Sequence, residues 1–175
     1  MSKRSENLGY KVALGGLLVA MMLILGYVET LLQGLVPTGI PGIKLGISNG
    51  VLLFALYMMD VRSALIMMVL KVGLSGLLFG NPMTMLFALC GGALSLAGMI
   101  PLSRVKGINI ITVSMVGAVL HNLGQVLLAM LILETDQLIY YMAILLLVGL
   151  ACGAVTGIAA RATISHMKKL RGRGQ

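Results

Sequence analysis

Six apolar runs, set apart by short turns rich in glycine, proline or charge, constrain this chain more than any other feature. They cover about residues 12–32, 45–59, 63–79, 83–102, 108–133 and 138–164. A helix needs ~20 mostly apolar residues to cross a bilayer, where backbone N–H and C=O groups must be satisfied within the segment. The runs over 45–59 and 63–79 are short, so their ends must lean on flanking residues or sit deeper in protein. Of the 175 residues 59% are apolar and 10% are charged, where soluble domains carry about 25% charged residues. A soluble fold of this size would lack the polar surface to cover itself. Soluble enzymes, nucleic-acid modules and secreted disulfide scaffolds are therefore disfavoured. The expectation is an all-α integral membrane bundle of six transmembrane helices, forming a single transmembrane domain over residues 1–175. The first run is long and lacks a small-residue cleavage site, so it is expected to be a retained helix, not a signal peptide.

Six crossings put both termini on one side of the membrane. On that side fall Lys3, Arg4, Lys11, Arg62, Arg104, Lys106, Arg161, Lys168, Lys169, Arg171 and Arg173, eleven of the 13 basic residues. The opposite loops hold Lys44 together with Glu134 and Asp136. By the positive-inside rule both termini face the cytoplasm, which predicts a multi-pass protein of the cell membrane. The net charge of +8 is thus read as a set of topology anchors, with no nucleic-acid partner implied. Cys90 and Cys152 lie inside apolar runs without metal-ligand spacing and read as packing residues. Neither a metal nor a cofactor is expected.

Small residues recur at the spacing of close helix contacts. Gly149, Gly153 and Gly157 form one series, and Gly76 with Gly80, Ala88 with Gly92, and Gly16 with Ala20 form pairs. In lipid such faces let backbones approach and gain van der Waals contact. Packing within the bundle is the favoured reading of each, and Gly16 with Ala20 on the first helix is the candidate docking face for another membrane subunit.

Polar residues inside apolar runs carry the functional signal. An ionised Lys at the bilayer centre costs about 2.5–3.5 kcal/mol on insertion scales. At 1.5 Å of rise per residue, Lys71 lies about 14 Å from Arg62 and about 15 Å from Asn81, near the midplane. His121, Asn122 and Gln125 share one broad face of the fifth run by their spacing. Glu29 falls near the outer end of the first helix, and Ser48 and Asn49 one turn into the second. A ligand cavity opening away from the cytoplasm accounts for all seven together. Each also has a structural alternative: Lys71 as partner of Glu29, Asn122 as an interhelical link, His121 as a satisfied core histidine. The Gly- and Pro-rich segment from Pro37 to Asn49 adds Lys44 beside a helix start, whose N–H groups attract anions.

Four segments stand out together: Pro41-Gly-Ile-Lys-Leu-Gly-Ile-Ser-Asn49, Leu74-Ser-Gly-Leu-Leu-Phe-Gly80, Gly91-Gly-Ala-Leu-Ser95 and the Gly117–Gln125 stretch carrying His-Asn-x-Gly-Gln. They resemble the Gx transporter family, often labelled heptaprenyl diphosphate synthase component I. That family is similar to the substrate-binding S components of energy-coupling factor (ECF) transporters. The resemblance implies a six-helix fold with an outward-facing pocket, a transmembrane coupling subunit and cytoplasmic ATPases as partners. It also implies that Lys44, Asn49, His121, Asn122 and Gln125 occupy the family's polar positions, and that Lys71 stands where many relatives would carry Arg.

Prenyl-diphosphate synthesis holds Mg²⁺ on clustered aspartates. This chain has two, Asp60 and Asp136, on opposite sides of the expected membrane. It also lacks a G-x-x-x-x-G-K-[ST] phosphate loop. The expected function is substrate capture by an S-component-like, non-enzymatic subunit of an ECF-type importer, for a small ligand, anionic or isoprenoid/quinone-related. The alternatives are an accessory subunit of polyprenyl diphosphate or quinone synthesis, and a proton-coupled carrier using His121 and Lys71.

Overall fold

A chain in hydrocarbon satisfies its backbone by closing each apolar run into a helix, and the polar breaks between runs supply the caps. A computed structural model describes the backbone of residues 3–35 and 46–173. Among them the helices are α1 (Lys3–Leu35), α2 (Asn49–Met58), α3 (Val61–Phe79), α4 (Pro82–Arg104), α5 (Ile110–Leu133) and α6 (Leu138–Arg173), with no strands. Asp60 caps α3 by accepting the Ser63 N–H at 2.8 Å. Asn81 and Thr84 form a reciprocal capping box at the start of α4, with Pro82 in its first turn. Glu134, at φ 47°, ends α5 in the left-handed region.

Five of these helices are long and apolar enough to cross a membrane. The second differs from expectation. Instead of running over 45–59, it begins only at Asn49, because Gly46 takes φ 80° and residues 47–48 form a turn. That turn is closed by Asn49 N–H donating to the Gly46 carbonyl at 2.9 Å. The ten-residue helix that remains spans about 15 Å, half of a bilayer core. Residues Val51 to Ala55 are all buried, so α2 is shielded by its neighbours.

The side-chain distribution is inverted relative to a soluble protein. Leu77 is 81% exposed, Leu131 75% and Leu147 68%, whereas Glu29, Asn122 and Gln125 are fully buried at 0%. Apolar groups outside and polar groups inside are what a hydrocarbon solvent selects, and the chain is a membrane protein of multi-pass character.

Helix α5 lies centrally, packed most extensively against α4 and α6. The glycine series on α6 makes this possible. A Cβ at Gly153 would lie 2.7 Å from Met115 Cα, and one at Gly157 2.9 Å from Ile111 Cα. Ala88 is buried, and a Cβ at Gly92 would come 2.9 Å from Met68 Sδ of α3. Gly76 faces the Met85 side chain across the α3–α4 hairpin. These small residues therefore serve packing inside the bundle. By contrast α1 rests on α2 and α3 alone among the described residues, leaving a gap between α1 and α6.

Candidate functional site

The turn at Gly46–Asn49 is the hub of the buried polar residues. Ile47 N–H donates to Glu29 Oε1 at 2.6 Å, tying the start of α2 to α1. Gly46 faces α5: a Cβ there would lie 3.1 Å from Asn49 Nδ2 and 3.2 Å from His121 Cδ2. Any larger residue would also be strained at that positive φ. His121 in turn lies beside Gly91 of α4, where a Cβ would sit 2.7 Å from the His121 carbonyl oxygen and 2.9 Å from Gln125 Cγ. Glu29, Ser48, Asn49, His121 and Gln125 are thus gathered around one turn and its α4 neighbour. All are buried: 0, 1, 8, 1 and 0% exposed respectively.

Asn122 takes a different direction. Its Nδ2 donates to the Leu145 carbonyl of α6 at 2.7 Å, and Gly149 lies against the same amide. The broad α5 face expected from spacing is therefore divided, with His121 and Gln125 toward α4 and Asn122 toward α6. Of the two readings of Asn122, the interhelical link accounts for this bond.

Lys71 projects from α3 on the face it shares with Met67, Met68 and Ser75, all buried. That face packs on α1 and α4, as Met67 Sδ near Gly15 and Met68 Sδ near Gly92 indicate. Lys71 is 6% exposed and sits mid-helix, turned away from lipid. Glu29, Lys71, His121 and Gln125 each have further interaction partners within the fold. Lys44 lies outside the described residues.

Several buried polar atoms have no hydrogen-bond partner among the described residues: Ser48 Oγ, Asn49 Nδ2, Ser95 Oγ and Asn122 Oδ1. In a membrane interior an unsatisfied polar atom is costly, and among the described residues this layer is incompletely paired. Ser95 carried no expectation from sequence. It is fully buried on α4, and its Oγ would lie 3.2 Å from a Cβ at Gly117 of α5. Its signal was the spacing from Gly91 and Gly92, four and three residues earlier on the same α4 face.

A second feature was not foreseen. Where α1 and α6 part, a cleft of about 520 Å³ opens, walled by α1 between residues 14 and 25 and by α6 between 155 and 167. Its floor is Ile47, Gly50, Val51 and Phe54. Elsewhere on α1, Gly16 and Ala20 are both exposed, and nothing lies within 4 Å of where a Gly16 Cβ would be. Among the described residues, that pair is left unpartnered by this fold.

At the cytoplasm-side turn of the expected topology, Lys11 Nζ lies 3.0 Å from Asp60 Oδ2, joining α1 to the start of α3. The Ser63 backbone N–H and then Lys11 lower the Asp60 pKa to about 2. Among the described residues no group of three or more His, Cys, Asp or Glu converges as a metal-holding set.

The family model described as heptaprenyl diphosphate synthase component I matches residues 18–163. The chain belongs to that family. No curated protein and no solved structure matches it. The matched stretch includes every residue of the polar layer, from Glu29 to Gln125, and both walls of the cleft over most of their length.

Proposed function

We propose that this family member is a substrate-capture subunit, S-component-like, of an ECF-type importer in the cell membrane. It would cross six times, with the short α2 completing the second crossing and both termini in the cytoplasm. Its ligand is small, anionic or isoprenoid/quinone-related, and is held by Glu29, Ser48, Asn49, Lys71, His121 and Gln125, with Lys44 at the outer approach. The observation that carries this reading is the buried polar cluster around the Gly46–Asn49 turn, with polar atoms on Ser48 and Asn49 left without partners among the described residues. Intramembrane polar groups of this kind are expensive unless they bind something or line its path.

Capture needs no chemistry from this chain, and we assign it none. Five acidic residues in all leave no aspartate cluster for a diphosphate-bound metal. ATP-driven work belongs to partner ATPases, coupled through a transmembrane subunit docking on the exposed Gly16/Ala20 face. Small-residue faces of this sort are where membrane helices associate. The test is affinity capture of the full chain from native membranes, followed by protein identification. A transmembrane coupling protein and ATPases should copurify, and Gly16→Leu should release them. Capture of a soluble prenyl synthase in their place would reverse the assignment.

That outcome defines the second reading, an accessory subunit of polyprenyl diphosphate synthesis, which the family's description favours. Its discriminating result is loss of prenyl transfer when this chain is withdrawn from an otherwise complete soluble synthase.

A further inference from the structure

Helix α1 is fastened near its two ends and loose between them. Toward one end the Glu29 carboxylate accepts the Ile47 N–H at 2.6 Å, and the Tyr27 ring stands edge-on to Phe79 with centroids 5.5 Å apart. The Glu29 bond is charge-assisted and buried, which is the strong kind. Toward the other end Lys11 Nζ meets Asp60 Oδ2 at 3.0 Å, with side chains 52% and 42% exposed. An exposed pair of this sort holds weakly. Between these ends a Cβ at Gly15 would meet only Met67 Sδ, at 4.0 Å, and one at Gly16 would meet nothing among the described residues.

The α1–α6 cleft lies along this loose stretch, and its walls match. Lys11 beside Asp60 and Tyr27 on Phe79 make α1 parallel to α3. Across α3–α4, α4–α5 and α5–α6, rising numbers on one helix meet falling numbers on the next. Helices α1 and α6 therefore run antiparallel. Leu14, Leu18, Met21 and Leu25 line the α1 wall at steps of four, three and four residues. Thr156, Ala160, Thr163 and Met167 repeat those steps on α6. Set antiparallel over one cleft, position 14 falls opposite 167, 18 opposite 163, 21 opposite 160 and 25 opposite 156. This is the spacing of a knobs-into-holes seam, with Leu and Met on one side and mostly Thr and Ala on the other. Bulky side chains over small ones let two membrane helices approach and gain van der Waals contact. The seam is nevertheless unmade: among the described residues no α1 Cα comes within 8 Å of an α6 Cα. Its inner edge is already joined, since Leu18 and Ala160 belong to one buried core with Val51 and Phe54 of α2.

We propose that α1 is a swinging strap that closes on α6 along this seam, pivoting at its Glu29 end and released at its Lys11 end. The open cleft and the closed seam are two positions of one helix, and the Lys11–Asp60 pair favours the open one. Closure also moves the opposite side of α1. Gly16 lies about 200° around the helix from Leu14, so the Gly16/Ala20 face is withdrawn as the strap closes. That consequence rests on the docking reading above; the seam itself does not.

The test is disulfide trapping in the full chain in nanodiscs, with Cys90 and Cys152 replaced by alanine. A disulfide needs Cα atoms about 4.4–6.8 Å apart, so none can span the open cleft. Copper-phenanthroline oxidation of Met21→Cys/Ala159→Cys, and of Leu17→Cys/Thr163→Cys, should consume both thiols within one chain. All four positions are exposed, so neither pair disturbs the core, and thermal unfolding checks this. Ala20→Cys/Ala159→Cys, turned off the seam, should stay reduced. Adding Lys11→Ala to either seam pair should speed trapping about twofold to fivefold, the effect of losing one exposed ion pair. Seam pairs that stay reduced overturn the inference and leave the cleft to lipid or to a helix of another protein. Equal trapping by the off-seam pair overturns it too, as random collision, and an unchanged rate with Lys11→Ala overturns the release at Lys11. None of these readouts involves a ligand or a coupling subunit, so the capture reading stands or falls separately.

Discussion

A methyl group at Gly91 would fall 2.7 Å from the backbone oxygen of His121, and backbone yields less readily than a side-chain tip. Gly91→Ala should therefore force α4 and α5 apart and cost about 1–3 kcal/mol, as overpacked sites do. Gly16→Ala meets nothing within 4 Å and should change stability by less than about 0.5 kcal/mol, as surface substitutions do. Thermal unfolding of both variants in the same detergent compares them directly. Asn122 supplies a second contrast. Its bond to Leu145 crosses from α5 to α6, and Asn122→Ala should lower stability by about 0.6–1.7 kcal/mol, the range of interhelical hydrogen bonds in membranes. Ligand binding should be nearly unchanged in that variant, because the amide's bond is directed away from the Gly46–Asn49 turn. This direction could not be read from sequence. His121 and Asn122 are adjacent and lie ~100° apart on the helix, and only the placement of α5 between two neighbours decides which neighbour each meets. That Glu29, Lys71 and Gln125 are buried was legible, because lipid leaves such side chains nowhere else to go.

Among the elements, helix positions follow from the apolar runs and their polar breaks, and the caps at Asp60 and Asn81 fall where those breaks predicted turns. The length of α2 was not legible. The run from Leu45 carries Gly46, Ser48 and Asn49 without a proline or a charge to mark a break, and the left-handed Gly46 that delays the helix sits against His121 of α5, a neighbour the sequence does not reveal. The α1–α6 cleft was likewise hidden, since it arises from two helices failing to meet. The α3 start carries a prediction of its own. Asp60 has its pKa lowered from 3.8 to about 2 in the folded chain, so it stabilises the fold above pH ~4. That contribution should fade as the pH falls from about 4 through about 2, seen as a falling unfolding temperature. Asp60 is largely solvated, so the effect is small and screened by salt. Asp60→Ala should remove this part of the pH dependence and, through the lost cap, cost about 1 kcal/mol at neutral pH.

At the scale of the whole molecule, the inverted distribution of side chains and the basic ends predict how the chain sits. With Cys90 and Cys152 replaced by alanine, Val105→Cys should react with an impermeant maleimide only from the cytoplasmic side. Thr135→Cys should react only from outside. The same side for both would contradict α5 as a crossing, and with it the count of six. Enclosure of a polar layer within that bundle is the basis for capture, and what fills the layer decides the account. Native mass spectrometry of the full chain, released from its own membranes in mild detergent, is the direct measurement. The account predicts one small organic molecule per chain, lost when Asn49→Ala removes the unpartnered amide while Asn122→Ala retains it. A bare chain mass from wild type, or a bound mass indifferent to Asn49, would contradict it.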